Sequence, residues 1–195
     1  FEPYSLPERT LFRWQEHWGL THCHAVTVAS HALETLVWSL GVPPERVIYL
    51  PNGSTLPRNG ESCPAAVPTV LLYTRLAEFE PERAVAVFAQ LVARLPEARL
   101  RVVGRALHPT RDAAFNRAVA MAGLSSQVER TGWLPPEELP ATLSACQVAL
   151  CLLDDNLINR CRCSVKLADL LRLGVPTVAE AVGEAVYYVA DGEAG

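Results

Sequence analysis

Along the second two-thirds of the chain, apolar runs and helical stripes alternate regularly. Runs at 69–74, 99–104, 127–131, 147–153 and 176–180 have strand length, and helical patterns at 81–95, 110–122, 136–146 and 164–173 fall between or beside them. In the first of these helices Val85, Phe88, Val92 and Leu95 recur at helical spacing and make one core-facing stripe. Such alternation implies an α/β, Rossmann-like fold, a parallel sheet with helices on both faces and right-handed crossovers. Ligands of such sheets sit at the carboxyl ends of the strands. The loops that start at Arg75, Gly104, Gly132, Asp154 and Ala181 are therefore where chemistry is expected.

The first fifty residues hold a smaller set of elements. Residues 4–20 read as an amphipathic helix with Leu11, Trp14 and Trp18 on one face. Residues 25–29 read as a short buried strand, and Ser30 as the N-cap of a helix reaching Leu40. Gly41-Val42-Pro43-Pro44 breaks that helix, and 47–50 is a second strand. Between 51 and 68 the texture changes, with Pro51, Pro57, Pro64, Pro68, Gly53 and Gly60 in one stretch. The expected organisation is a small α/β piece at 1–51, a linker at 52–68 and a larger α/β domain at 69–195.

One helix stands out. Ser164 can cap its start, while Gly174 and Pro176 end it. Between them only Lys166, Asp169 and Arg172 are charged, spaced by three on one seam. A cation in the first turn opposes the helix dipole and costs about 0.3–1 kcal/mol at an exposed end. A bound anion would reverse that sign, because free N–H groups and the ammonium would converge on it. Of the seventeen basic residues, Lys166 is the one lysine. A solvated helix face is the plain alternative. The ligand reading requires the amine to face the sheet's carboxyl edge with no acid locked onto it.

Composition narrows the field. Half the residues are hydrophobic, 19% are charged and the net charge is −4, which argues against a general nucleic-acid or anionic-membrane binder. No apolar run approaches the roughly 18 residues of a spanning helix. Six scattered cysteines in a core-rich chain fit reduced thiols in a cytoplasm better than a secreted disulfide scaffold. The G-x-G-x-x-G fingerprint and the Walker A loop are both absent, which disfavours a dinucleotide oxidoreductase and a P-loop nucleotidase. Asp154-Asp155 could hold a divalent metal or stand simply solvated. His22-Cys23-His24 with Cys161-Arg162-Cys163 does not have zinc-site spacing, and no nucleophile triad assembles. Neither a metal nor a cofactor is expected, and no catalytic residue is assigned. Arg75 can offer a planar fork to a phosphate, or pair with Glu78 or Glu80. Gly104, followed by Arg105, can admit a ligand to the backbone or serve as an ordinary turn residue.

Taken in order, several segments resemble the GT-B glycosyltransferases of the retaining family 4 (group 1) type. Ala25-Val26-Thr27-Val28-Ala29-Ser30 and Val47-Ile48-Tyr49-Leu50-Pro51-Asn52-Gly53 are similar to the end of that family's N-terminal, acceptor-side domain and its linker. Leu71-Leu72-Tyr73-Thr74-Arg75-Leu76 resembles the strand and G-R-L loop that open the C-terminal domain, and Leu100-Arg101-Val102-Val103-Gly104 its second strand. Thr131-Gly132-Trp133-Leu134 with Glu138-Leu139-Pro140 resembles the segment before the fourth strand. The stretch from Ser164 to Pro176 resembles the S-x-K-L-x-E segment, with Gly183 starting the next helix.

The resemblance implies a glycosyltransferase portion that binds a nucleotide-diphosphate sugar for retaining transfer to a glycan, lipid or small-molecule acceptor. Arg75 and Lys166 would face the diphosphate with the backbone of Ser164 and Val165. Gly104 would lie beside it, Asp169 would accept from the ribose, and Trp133 and Leu134 would meet the base. It also implies that 1–51 is the remnant of an acceptor-side domain. Asp191-Gly192-Glu193-Ala194-Gly195 would open a further segment, so the chain alone should not catalyse transfer. Three positions depart from the pattern: Cys161 stands where a carboxylate is usual, Glu80 where a lysine is usual, and Thr74 where a glycine is usual. These departures support the alternative of a catalytically inactive GT-B module kept for binding or assembly. A GT-B epimerase or phosphorylase is a third reading; the latter would require a pyridoxal-phosphate lysine, for which Lys166 is the one candidate.

Overall fold

The structure, a computed structural model, describes residues 4–57 and 65–189. The middle of the expected linker and the Asp191–Gly195 segment lie outside the described residues. In chain order the elements are α1 (Leu6–His22), β1 (Val26–Val28), α2 (His31–Ser39), β2 (Val47–Tyr49), β3 (Thr69–Tyr73), α3 (Pro81–Val92), β4 (Arg99–Val103), α4 (Pro109–Met121), β5 (Val128–Gly132), α5 (Leu139–Ser144), β6 (Val148–Cys151), α6 (Leu157–Arg160), α7 (Val165–Arg172), β7 (Thr177–Ala179) and α8 (Ala185–Tyr188).

β1 and β2 pair in parallel as a two-stranded sheet, and the other five strands form a parallel sheet in the order β5-β4-β3-β6-β7. β3 is central because both its faces are apolar: Leu71 and Leu72 point to opposite sides and are each fully buried. Val70 and Leu72 join Leu100, Val102, Phe88 and Phe115 on the α3–α4 side. Leu71 and Val103 join Leu143, Ala149, Leu170 and Val175 on the α5–α7 side. The order reverses direction beside β3, since β4 follows on one flank and β6 on the other. That switch point opens a crevice at the carboxyl ends.

The local signals behave as their chemistry dictates. Ser30 accepts from Leu33 N at 3.0 Å and Ser164 from Leu167 N at 3.3 Å, each closing a helix start. The run at 127–131 is less apolar than the others because β5 is an edge strand. Its Glu129 and Arg130 reach Arg101 and Asp112 instead of a core. The expected helix at 136–146 shortens to α5, since Pro135 and Pro136 cannot donate to a helical ladder. α6, a single turn capped by Asn156, lies inside what reads as loop from the sequence. α1 forms as expected, yet it buries no residue, and Leu11, Trp14 and Trp18 stay exposed. No helix among the described residues is long and apolar enough to cross a membrane.

The two sheets meet through polar contacts. Ser30 Oγ donates to Cys161 O at 2.8 Å. Glu184, 1% exposed, accepts from His31 N at 2.6 Å and from Tyr49 OH at 2.6 Å. Asn52 Nδ2 donates to Cys163 O at 2.9 Å, and Ser54 Oγ to Asp169 at 2.5 Å, so residues 52–56 run along α7.

Candidate functional site

Three strand ends set the floor of the crevice. Thr74 N donates to Val103 O at 2.9 Å and Gly104 N to Gly132 O at 2.8 Å, which keeps β3, β4 and β5 level at their carboxyl ends. Above them lies a cavity of about 540 Å³ lined by Tyr73, Thr74, Arg75, Gly104, Arg105, Ala106, Trp133 and Lys166. Its position is the one that the strand–helix alternation implies.

The first loop is built by side-chain bonds. Thr74 Oγ1 accepts from Leu76 N at 2.8 Å and donates to Glu78 Oε2 at 3.0 Å. A glycine has no hydroxyl to make these two bonds, so the threonine gives this loop side-chain ties that a glycine would lack. Leu76 holds φ +53°, a left-handed conformation costing about 1–2 kcal/mol for a residue with a Cβ, and its complete burial in the core secures it. Gly104 has φ +115°, and a Cβ there would lie 2.2 Å from Thr74 O. The glycine is required so that the first and second loops can touch, a third reason beside the two open from the sequence.

The expectation of an unpaired Lys166 amine is not met. Lys166 Nζ donates to Glu78 Oε1 at 2.7 Å, and Arg162 Nη1 lies 3.3 Å from the same oxygen. Glu78 has only 13% of its side chain exposed, and burial pushes its carboxyl up. The Lys166 charge and hydrogen bond, with the Ala77 N–H and the Thr74 hydroxyl, outweigh that burial and hold it at about 2. A carboxylate this buried needs a cation, and the fold supplies two. Lys166 still lines the cavity, and its amine lies 5.9 Å from the Tyr73 ring centre. It is a committed cation rather than a free one, so the condition that the sequence sets for an anion drawn by an unpaired Lys166 is not met, and any donor site has to rest on the cavity's other charges.

The same geometry decides the Arg75 alternatives. Glu78 is taken by Lys166 and Arg162, and Glu80 by Arg111 at 2.7 Å, so neither ties down Arg75. Arg75 and Arg105 are exposed and have no acid partner among the described residues. Two positive charges are thus presented as guanidinium groups.

Four of the eight sequence-derived site residues meet at the cavity: Arg75, Gly104, Trp133 and Lys166. The other four lie outside its lining. Leu134 packs on the α5–α7 core, Ser164 caps α7, and Val165 is exposed beside it. Asp169 is 6% exposed, and its Oδ1 accepts from Ser54. Burial raises its carboxyl above the usual range, with the Ser54 bond opposing. Two participants are not assigned to the site from the sequence. Arg105 has a legible signal, because it stands two residues past β4 as Arg75 stands two past β3, in strands paired Tyr73 to Val103. Glu78 is legible only as a possible partner of Arg75, since its actual partner, Lys166, is 88 residues away.

The acid pair of the fourth loop is occupied by arginines: Asp154 meets Arg83 at 2.8 Å and Asp155 meets Arg160 at 2.5 Å. Among the described residues no group of three or more His, Cys, Asp and Glu side chains is placed to hold a metal. Cys161 presents its carbonyl to Ser30, and Cys163 is buried with its Sγ 3.2 Å from Asn52 N and Tyr188 OH.

Comparison with known proteins places this arrangement. A search of curated protein sequences found no match. Among solved structures, the chain is similar to Anabaena HepE in complex with UDP and glucose, at 19% identity and TM-score 0.70, covering 98% of this chain and 52% of that one. It is also similar to sucrose-phosphate synthase from Thermosynechococcus elongatus (22%, 0.66, 89% and 45%) and to a glycosyltransferase from Rickettsia africae (13%, 0.68, 86% and 47%). At these identities the likeness establishes the GT-B type of α/β fold, and the chain spans about half the length of these structures. Residues 67–195, two-thirds of the chain, match the family model described as glycosyl transferases group 1. The chain belongs to the glycosyl transferases group 1 family.

Proposed function

We propose that this chain is the donor-binding portion of a glycosyltransferase and takes a nucleotide-diphosphate sugar in the cavity above β3, β4 and β5. The observation that carries the reading is the cavity wall itself: Arg75, Arg105 and Lys166 converge there with the exposed indole of Trp133. Guanidinium forks suit phosphate oxygens, and an aromatic plane suits a nucleobase. Anabaena HepE, which shares the fold, is in complex with UDP-glucose in one structure, which supports a nucleotide sugar as the ligand class. Charge that develops on the leaving diphosphate would be stabilised by cations already in place.

Finer features belong to the same proposal. Transfer is retaining, of the family 4 type, and proceeds together with an acceptor-side domain of which 1–51 is a part, joined by the linker at 52–68. The chain alone binds donor without transferring sugar. The acceptor is a glycan, lipid or small molecule, and the protein works in the cytoplasm. Ser164, Val165 and Leu134 flank the site. Asp169 is assigned to a ribose hydroxyl, although it is buried, lies outside the cavity lining and accepts from Ser54 through Oδ1.

A second reading, a GT-B module that binds or assembles without catalysis, is favoured by the Lys166–Glu78 pair and by Cys161 and Glu80. Calorimetric titration of UDP, GDP and ADP separates the two. Millimolar or tighter binding that weakens in Arg75→Ala, a cavity residue with no acid partner among the described residues, supports the donor site. Silence with all three nucleotides favours the inert module.

A further inference from the structure

Two cations in this crevice have no acid to answer them among the described residues, and they follow adjacent strands. β3 and β4 pair Tyr73 with Val103, so Arg75 and Arg105 leave the sheet at the same level, one strand spacing apart. The loops behind them are tied together. Gly104 is in contact with Thr74 O, where no Cβ would fit, and Leu107 N donates to Arg75 O at 2.8 Å. Both residues line one cavity, and the backbone of their two loops is held together. Nearby cations are all engaged: Lys166 and Arg162 with Glu78, and Arg111 with Glu80. Two like charges held on one wall repel each other until a multivalent anion enters.

On this basis, and resting on the donor-site reading above, we propose that Arg105 is a diphosphate-binding residue, facing the anion together with Arg75 and carrying the charge that Lys166, committed to Glu78, does not supply. A diphosphate brings more charge and more acceptor oxygens to two guanidinium groups than a monophosphate does, so the pair also favours nucleoside diphosphate over monophosphate.

The test uses the whole chain and whichever of UDP, GDP and ADP binds best, with its monophosphate and inorganic pyrophosphate as companion probes. Arg105→Ala should weaken diphosphate and pyrophosphate binding by about 10- to 100-fold. The preference over the monophosphate should shrink by about as much, and Arg105→Lys should fall between, because it keeps charge but loses the fork. Urea midpoints check the fold, which an exposed side chain should leave unchanged. An unaltered diphosphate affinity in Arg105→Ala, beside a loss in Arg75→Ala, would overturn this inference and leave the donor site standing. A wild-type chain that binds no nucleoside diphosphate and no pyrophosphate overturns both.

Discussion

Protonating Glu78 should release Lys166 and cost the protein a measurable part of its stability. Its carboxyl sits at about 2 in the folded chain against an ordinary value of 4.5. The folded value is the lower one, so the contribution is complete above pH 4.5 and is lost as pH falls toward 2. At 1.36 kcal/mol per unit, the shift corresponds to about 3 kcal/mol at neutral pH. Little discount for solvent is needed, since the carboxylate is 13% exposed. Glu78→Gln removes the titrating group and leaves Lys166 and Arg162, which are a quarter and a third exposed, able to hydrate. Urea unfolding of both proteins at pH 6, 4.5, 3.5 and 2.5 gives the difference directly. It should be about 3 kcal/mol at pH 6 and shrink steadily below pH 4.5. A difference that stays flat across that range would refute the ion pair as the origin of the shift. The site reading would then return to an unpaired amine.

Gly104→Ala should cost about 3 kcal/mol, because the added Cβ meets Thr74 O at φ +115°, whereas Gly123→Ala, with open space at φ +69°, should cost about 1 kcal/mol; equal losses in urea unfolding would discredit the loop contact. Ser30→Ala should lose about 1–2 kcal/mol by removing the α2 cap and the bond to Cys161 O, read as a lower thermal midpoint. Asp169→Asn should leave stability at pH 7 equal or higher, since burial disfavours the charge, while nucleotide binding measured by calorimetry falls; a loss of stability with binding intact would mean that Asp169 only holds Ser54.

Most of the architecture could be read from local chemistry. Strand β3 announces its central place by Val70, Leu71 and Leu72, apolar on both faces, and α3 announces its inner face by Val85 and Phe88. Caps at Ser30 and Ser164 are local events, fixed by a hydroxyl and an N–H three residues apart. Where the pattern gave the element but not its setting, the missing quantity was exposure. α1 has its periodicity, yet nothing in Leu11, Trp14 and Trp18 reveals that they find no covering surface among the described residues.

The sequence by itself determined the α/β alternation and put eight expected site residues at the sheet's carboxyl edge, of which Arg75, Gly104, Trp133 and Lys166 line the cavity there. Only the tertiary structure decided which of those charges are available. Glu78 meets Lys166 across 88 residues and Ser54 meets Asp169 across 115, and no spacing rule reaches that far. Secondary structure follows from short-range sterics and periodic burial, which a sequence displays. Ion-pair partners follow from which loops the packed sheet brings to one edge, and from how little water is left there to compete.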